Sequence, residues 1–174
     1  MPYMDNKNAK YLVDTYADMV LRISLLYLKQ SCDAEDICQE VFLKLLTADF
    51  VFKSPAHEKA WIIRATINAC KDHLRTSFWK RATDLENAKE IATKEDEQSE
   101  LLDMVMELPQ NYRLSIYLHY YEDYPVNEIA TMLGKSANTV SAYLSRGRKR
   151  LKNMLEESTK QEEIDTRGAI HYVK

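Results

Sequence analysis

The chain has 174 residues, 45% of them hydrophobic and 29% charged, with a formal net charge of −3. That length allows one medium domain or two small ones, and three glycines with four prolines leave little material for many tight turns, so an all-α chain is expected. No stretch approaches about eighteen uncharged apolar residues and no signal peptide opens the sequence, which argues against membrane insertion and for an intracellular protein.

Residues 7–29 are predicted to form a first helix, with Leu12, Tyr16, Met19, Val20, Ile23 and Tyr27 at helical spacing. Residues 31–33 read as a break, and Asp33 is placed to cap a second helix whose acidic start suits the positive end of its dipole. That helix, AEDICQEVFLKLL, buries Ile37, Val41 and Leu45 and shows Asp36, Gln39 and Glu40 on another face. Capping chemistry explains acids in a first turn but says little about Gln39 and Glu40. A loop is expected over residues 48–57, with Pro55 as the breaker.

A long helix over residues 58–80 carries two stripes. Ile63, Ile67, Cys70 and Leu74 make an ordinary core face, whereas Trp61, Ala65, Asn68, Asp72 and Arg75 mix aromatic, amide and charge. Lys59, Arg64, Lys71, Arg75, Lys80 and Arg81 gather around Trp61, Phe78 and Trp79, a composition that suits unstacked bases and their backbone, or equally a core tryptophan beside a solvated basic face. The cysteines are Cys32, Cys38 and Cys70, an odd number without CxxC spacing, which argues against a disulfide framework or a zinc site. Cys70 and His73 form a lone C-x-x-H pair, and Cys70 on its apolar stripe reads as a buried thiol; no metal or cofactor is expected.

Residues 84–100 change character: seven acids against two lysines give a local charge of −5, with few apolar residues, as in a linker. Helices are predicted over 101–108 and 110–121, the second started by Pro109 and lined by Leu114, Tyr117, Leu118 and Tyr121. Two more follow, joined by a tight turn. Val126, Ile129, Ala130 and Leu133 form a short apolar face, Gly134 suits a left-handed helix end, and Ser136 is a good N-cap. Val140, Leu144, Gly147, Leu151 and Leu155 then mark a longer helix. Between Lys135 and Lys152 the cations Arg146, Arg148, Lys149 and Arg150 meet no acid. This is the layout of a helix-turn-helix, whose second helix enters the major groove of DNA. Gly147, costly by about 1 kcal/mol in mid-helix, implies close approach of another helix or of a phosphate. After Leu155 the chain turns polar and is expected to fray.

Three of these segments together resemble a bacterial RNA polymerase sigma factor of the extracytoplasmic-function (ECF) group of the sigma-70 family. AEDICQEVFLKLL is similar to the helix of the second sigma region that docks on the polymerase clamp. EKAWIIRATINACKDHLR is similar to that family's W-x-x-R-x-x-x-N-x-x-x-D-x-x-R run, here Trp61, Arg64, Asn68, Asp72 and Arg75. The stretch from ELPQNYR to SRGRKRL is similar to the fourth sigma region. The resemblance implies two small helical domains: residues 1–83 for polymerase binding and the −10 element, and residues 101–155 for the −35 element. The acidic linker 84–100 lies between them and a polar tail, 156–174, follows. It implies polymerase contacts by Asp36, Gln39 and Glu40, and −10 contacts by Lys59, Trp61, Arg64, Asn68 and Arg75. It places Ser136, Asn138, Thr139, Ser141, Tyr143, Arg146 and Arg148 on −35 DNA, although many relatives carry basic residues where this chain has Ser141 and Tyr143. The implied partners are polymerase core, through clamp and flap, promoter DNA and an anti-sigma factor, in the cytoplasm at the nucleoid. No catalytic activity is implied. A stand-alone helix-turn-helix regulator is the alternative; it leaves the Asp36–Gln39–Glu40 face and the Trp61 stripe unexplained. A metal-dependent nuclease is disfavoured, since the acids crowd one helix start without a histidine or second carboxylate cluster.

Overall fold

The computed structural model describes residues 6–48, 51–81 and 99–171, with side chains defined within 9–48, 51–77 and 101–161. Among these residues every regular element is helical: α1 (Asn6–Leu28), α2 (Ser31–Thr47), α3 (Pro55–Arg81), α4 (Ser99–Glu107), α5 (Gln110–Ile116), a π turn (Tyr117–Tyr121), α6 (Val126–Leu133) and α7 (Ala137–His171). The chain divides into two compact units, one holding α1 to α3, the other α4, α5 and α7. The expected acidic linker lies outside the described residues, apart from its last two, which open α4.

In the first unit the three helices pack on one another pairwise. Leu12, Tyr16, Met19, Val20 and Ile23 of α1, Ile37, Val41 and Leu45 of α2, and Ile63, Ile67 and Cys70 of α3 are all buried, as their spacing predicts. Burying each large aliphatic side chain contributes about 1.5–3 kcal/mol. Polar groups tie the same faces. Tyr16 Oη donates to Glu58 Oε1 at 2.8 Å, and His73 Nε2 lies 3.3 Å from Asp33 Oδ2. The buried hydroxyls of Ser24 and Thr66 donate to the carbonyls of Val20 and Ile62, each at 2.8 Å.

The first unit departs from three local expectations. The break before α2 shrinks to Lys29, whose φ of 59° ends α1, and Gln30, which precedes the first turn; Asp33 does not cap α2 but sits inside it, facing His73. Pro55 does not break the chain. It is the first residue of α3, where its missing N–H costs nothing, and Ser54 caps the helix, its Oγ accepting from His57 N–H at 3.1 Å. Leu74, expected in the core, is 40% exposed. The buried residues of α3 run from Ile62 to Cys70, and Leu74, one turn further on, lies beyond the end of that buried stretch.

In the second unit α5 lies along α7, and α4 also touches α7. The approach is close at Gly147. A Cβ added there would meet Ile116 Cγ1 at 3.2 Å and Tyr112 Cβ at 3.6 Å, so a helix, not a phosphate, explains this glycine. Arg113 is 4% exposed, and its Nη1 donates to the carbonyls of Leu108 (2.7 Å) and Met106 (3.3 Å), satisfying acceptors at the end of α4. The predicted helix over 110–121 is not uniform. It becomes a π turn at Tyr117, closed by Glu122 N–H on Tyr117 O at 3.2 Å. The extra residue in that turn rotates the face, so Tyr121, expected to line the core, is 58% exposed. The tail expected to fray is instead the continuation of α7, 35 residues long. No glycine or proline interrupts residues 148–167, and Lys152 reaches Glu156 at 3.8 Å along the helix.

Candidate functional site

The α6–α7 turn has the geometry its sequence asks for. Gly134 has φ +67°, Lys135 N–H donates to Ala130 O at 2.9 Å, and Gly134 N–H points at Thr131 O at 3.3 Å, the paired bonds of a Schellman helix end. Ser136 then caps α7, its Oγ accepting from Thr139 N–H at 3.1 Å. Ile129, Ala130, Leu133, Val140 and Leu144 are buried. With these side chains turned inward, the start of α7 offers Asn138, Ser141, Ser145 and Arg146, all exposed, on its outer side.

The seven residues assigned to −35 DNA are not equivalent. Ser136 is committed to its cap and also meets Thr139 Oγ1 at 2.8 Å. Tyr143 is half-buried, its ring 5.4 Å from that of Tyr112, and Arg150 lies 5.6 Å from the same Tyr112 ring. Arg148 leaves the outer face on the other side, its Nη1 donating to Tyr120 Oη at 2.7 Å. The outward group is therefore Asn138, Ser141 and Arg146, joined by Ser145 and Lys149, which were not among the seven. At about 100° per residue those two fall on the same side of α7 as Asn138.

On the first unit, Asp36, Gln39 and Glu40 are exposed on one side of α2, and Glu40 pairs with Lys44 a turn later. Leu43, 64% exposed, continues that stripe. It is not among the residues singled out from the sequence, although its spacing of four and three from Gln39 and Glu40 marks it as outward. On α3, Arg64, Asn68 and Arg75 are exposed along one stripe, while Lys59 and Trp61 are half-buried near its start. Arg75 Nη2 pairs with Asp72 Oδ1 at 3.1 Å. Phe52 packs edge-on against both Trp61 and His57, with centroids 5.7 Å apart in each case. Lys53 N–H points at His57 Nδ1 at 3.3 Å. The segment before α3 is thus folded onto Trp61, and Val51 at its edge is 92% exposed.

Residues 12–80 match the family model for sigma-70 region 2, and residues 98–151 match that for sigma-70 region 4. The chain is 32% identical over 140 residues to the RNA polymerase sigma factor SigV of Bacillus subtilis, covering 77% of this chain and 82% of that protein. The chain belongs to the ECF group of the sigma-70 family. Similarity to the ECF RNA polymerase sigma factor SigM of Mycobacterium tuberculosis, at 27% identity over 137 residues, spans 77% of this chain and 70% of that one. The fold matches the sigma factor RpoE of Bartonella quintana, solved in complex with the anti-sigma factor NepR, with a TM-score of 0.72. That likeness covers 86% of this chain and 98% of that one at 18% identity.

As a sigma factor, the chain directs RNA polymerase to promoters for transcription initiation. Matches to both regions, in order, separate it from a stand-alone helix-turn-helix regulator, which would need only the second. Among the described residues no helix is long and apolar enough to cross a membrane.

Proposed function

We propose a division of labour in which the first unit grips polymerase and opens the −10 element while α7 reads the −35 element. In this reading Asp36, Gln39 and Glu40, with Leu43, dock on the polymerase clamp. The stripe Lys59, Trp61, Arg64, Asn68 and Arg75, with the Phe52 segment folded against it, takes the unstacked −10 strand. Asn138, Ser141 and Arg146 meet base edges, with Ser136, Thr139 and Tyr143 beside them and Arg148 on the backbone. The observation that carries this reading is the pairing of faces. Each of these stripes runs along a helix whose opposite side is buried, which sets Gln39, Arg64, Asn68, Asn138, Ser141 and Arg146 at the surface, where a partner can reach them.

The energetics fit a protein that works only with polymerase. Extruding a base costs a few kcal/mol, and a stacking contact returns about 1–3 kcal/mol. A small unit therefore roughly breaks even alone, and stable opening draws on the rest of the holoenzyme. The chain needs no chemistry of its own for this, acts in the cytoplasm at the nucleoid, and is bound by an anti-sigma factor, as its structural relative RpoE is found in complex with NepR. Competition binding of holoenzyme to a library of −35 variants tests the assignment. Asn138→Ala should relax preference at one position by about 1–3 kcal/mol and change the rank order of variants. An unchanged order would remove Asn138 from the reading face.

A further inference from the structure

Arg148 and Arg150 are two residues apart on α7, hence about 200° apart around its axis. They therefore stand on opposite flanks of the outward face that carries Asn138, Ser145 and Lys149. Each is met by a tyrosine from the preceding helical segment. Tyr120 of the π turn accepts from Arg148 Nη1 through its hydroxyl at 2.7 Å. Tyr112 of α5 lies under Arg150 with its ring, the guanidinium carbon 5.6 Å from the centroid. The first contact depends on an oxygen, the second on an aromatic face.

Both tyrosines are set in place by local features of the α5–α7 packing and of the π turn. The absence of a side chain at Gly147 lets α5 come close enough for Tyr112 to lie along the stripe Tyr143–Gly147–Arg150. The π turn carries Tyr120, 53% exposed, to the other flank. Free arginine side chains sample many rotamers, and contacts formed in advance remove part of that ordering cost from binding. A helix in the major groove is bordered by the phosphates of both strands, so it can use one fixed cation on each flank.

We propose that Tyr112 and Tyr120 are positioning residues for the −35 contact, holding Arg150 and Arg148 on the two flanks of α7 so that each strand's backbone meets one of them. This rests on the reading of α7 as the −35 helix. It adds Arg150 to the DNA-binding set and gives two tyrosines outside α7 a role in binding.

The test is holoenzyme binding to promoter DNA over a range of salt, using conservative variants. Arg148→Gln and Arg150→Gln should each reduce the salt slope by about one. Tyr120→Phe, which removes only the oxygen, should weaken binding several-fold, and the loss should vanish when Arg148 is already Gln. Tyr112→Phe should bind like the native chain because the ring remains. Tyr112→Leu should weaken binding several-fold, with the loss vanishing in the Arg150→Gln background. Additive losses in either cycle, a silent Tyr120→Phe, or losses that reorder −35 variants instead of lowering all alike would overturn the proposal. Should Tyr112→Leu lose helix content by circular dichroism, the near-isosteric Tyr120→Phe cycle decides. Unchanged salt slopes in both arginine variants would overturn the underlying −35 reading; normal arginine effects without tyrosine coupling overturn the positioning alone.

Discussion

Gly147 shows how a single residue can pose a question that only packing answers. Its sequence context, amid four cations, suited a phosphate as well as a helix, and the 3.2 Å approach to Ile116 decides for the helix. A methyl there gains about 1 kcal/mol of helix propensity but pushes on Ile116. Gly147→Ala should therefore stay within about 1 kcal/mol of the native chain in urea melts, whereas Gly147→Leu should lose about 1–3 kcal/mol by overpacking. Equal stability of the Leu variant would mean that α5 and α7 do not meet as described. Cys70 makes a second test at this scale. Burial pushes its thiol up from 9.0 to about 12, with a hydrogen bond to Ser24 opposing the shift and Glu40 adding to it. A raised acid pKa means the folded state favours the neutral thiol. Its contribution is thus full below pH 9.0 and falls as pH rises towards about 12. The stability gap between the native chain and Cys70→Ala should narrow on going from neutral pH to about pH 10.5, a shift readable from paired urea midpoints.

Elements were legible where their chemistry is local. The Schellman turn at Gly134 and the cap at Ser136 need only neighbouring residues, and both stand where the sequence put them. The outward stripes on α2 and α3 were legible too, because residues repeated at three and four necessarily share a side. What stayed hidden depends on partners distant in sequence or on small changes in helical register. The π turn at Tyr117 has no glycine or proline to announce it, and it moved Tyr121 from the expected core to the surface. Nothing adjacent to Arg113 in the sequence marks it for burial, because its carbonyl partners lie five and seven residues upstream, beyond one helical turn. Burial lowers its pKa without removing its role as donor. Arg113→Met keeps much of the volume but leaves those carbonyls without their charged donor. It should cost about 1.5–3 kcal/mol in the melting of the second unit, while Arg113→Lys, lacking the planar fork, restores only part of the loss. A neutral Arg113→Met would show that water satisfies the end of α4 equally well.

At the scale of the whole molecule, the two units ask for different experiments. A sigma factor binds both polymerase core and promoter DNA, and in the proposed division of labour a variant's effect depends on which of the two contacts it touches. Gln39→Ala with Glu40→Lys alters exposed residues on α2, away from the buried Ile37, Val41 and Leu45, so helix content should not change. Core affinity should fall by tenfold or more, as for loss of about 1.4 kcal/mol or more of interface contact. Closed-complex binding and strand opening should then fall together, both recovering when core polymerase is added in excess. Asn68→Ala is expected to behave otherwise. Asn68 is exposed on the stripe that begins at Trp61, and if it holds an unstacked −10 base, its loss acts only after strands part. Closed-complex affinity should stay near native while permanganate reactivity at the −10 element drops several-fold, and excess core should not rescue it. Loss of both signals in proportion in the Asn68 variant would make it a structural residue of α3, and the −10 reading would then pass to Trp61 and the Phe52 segment.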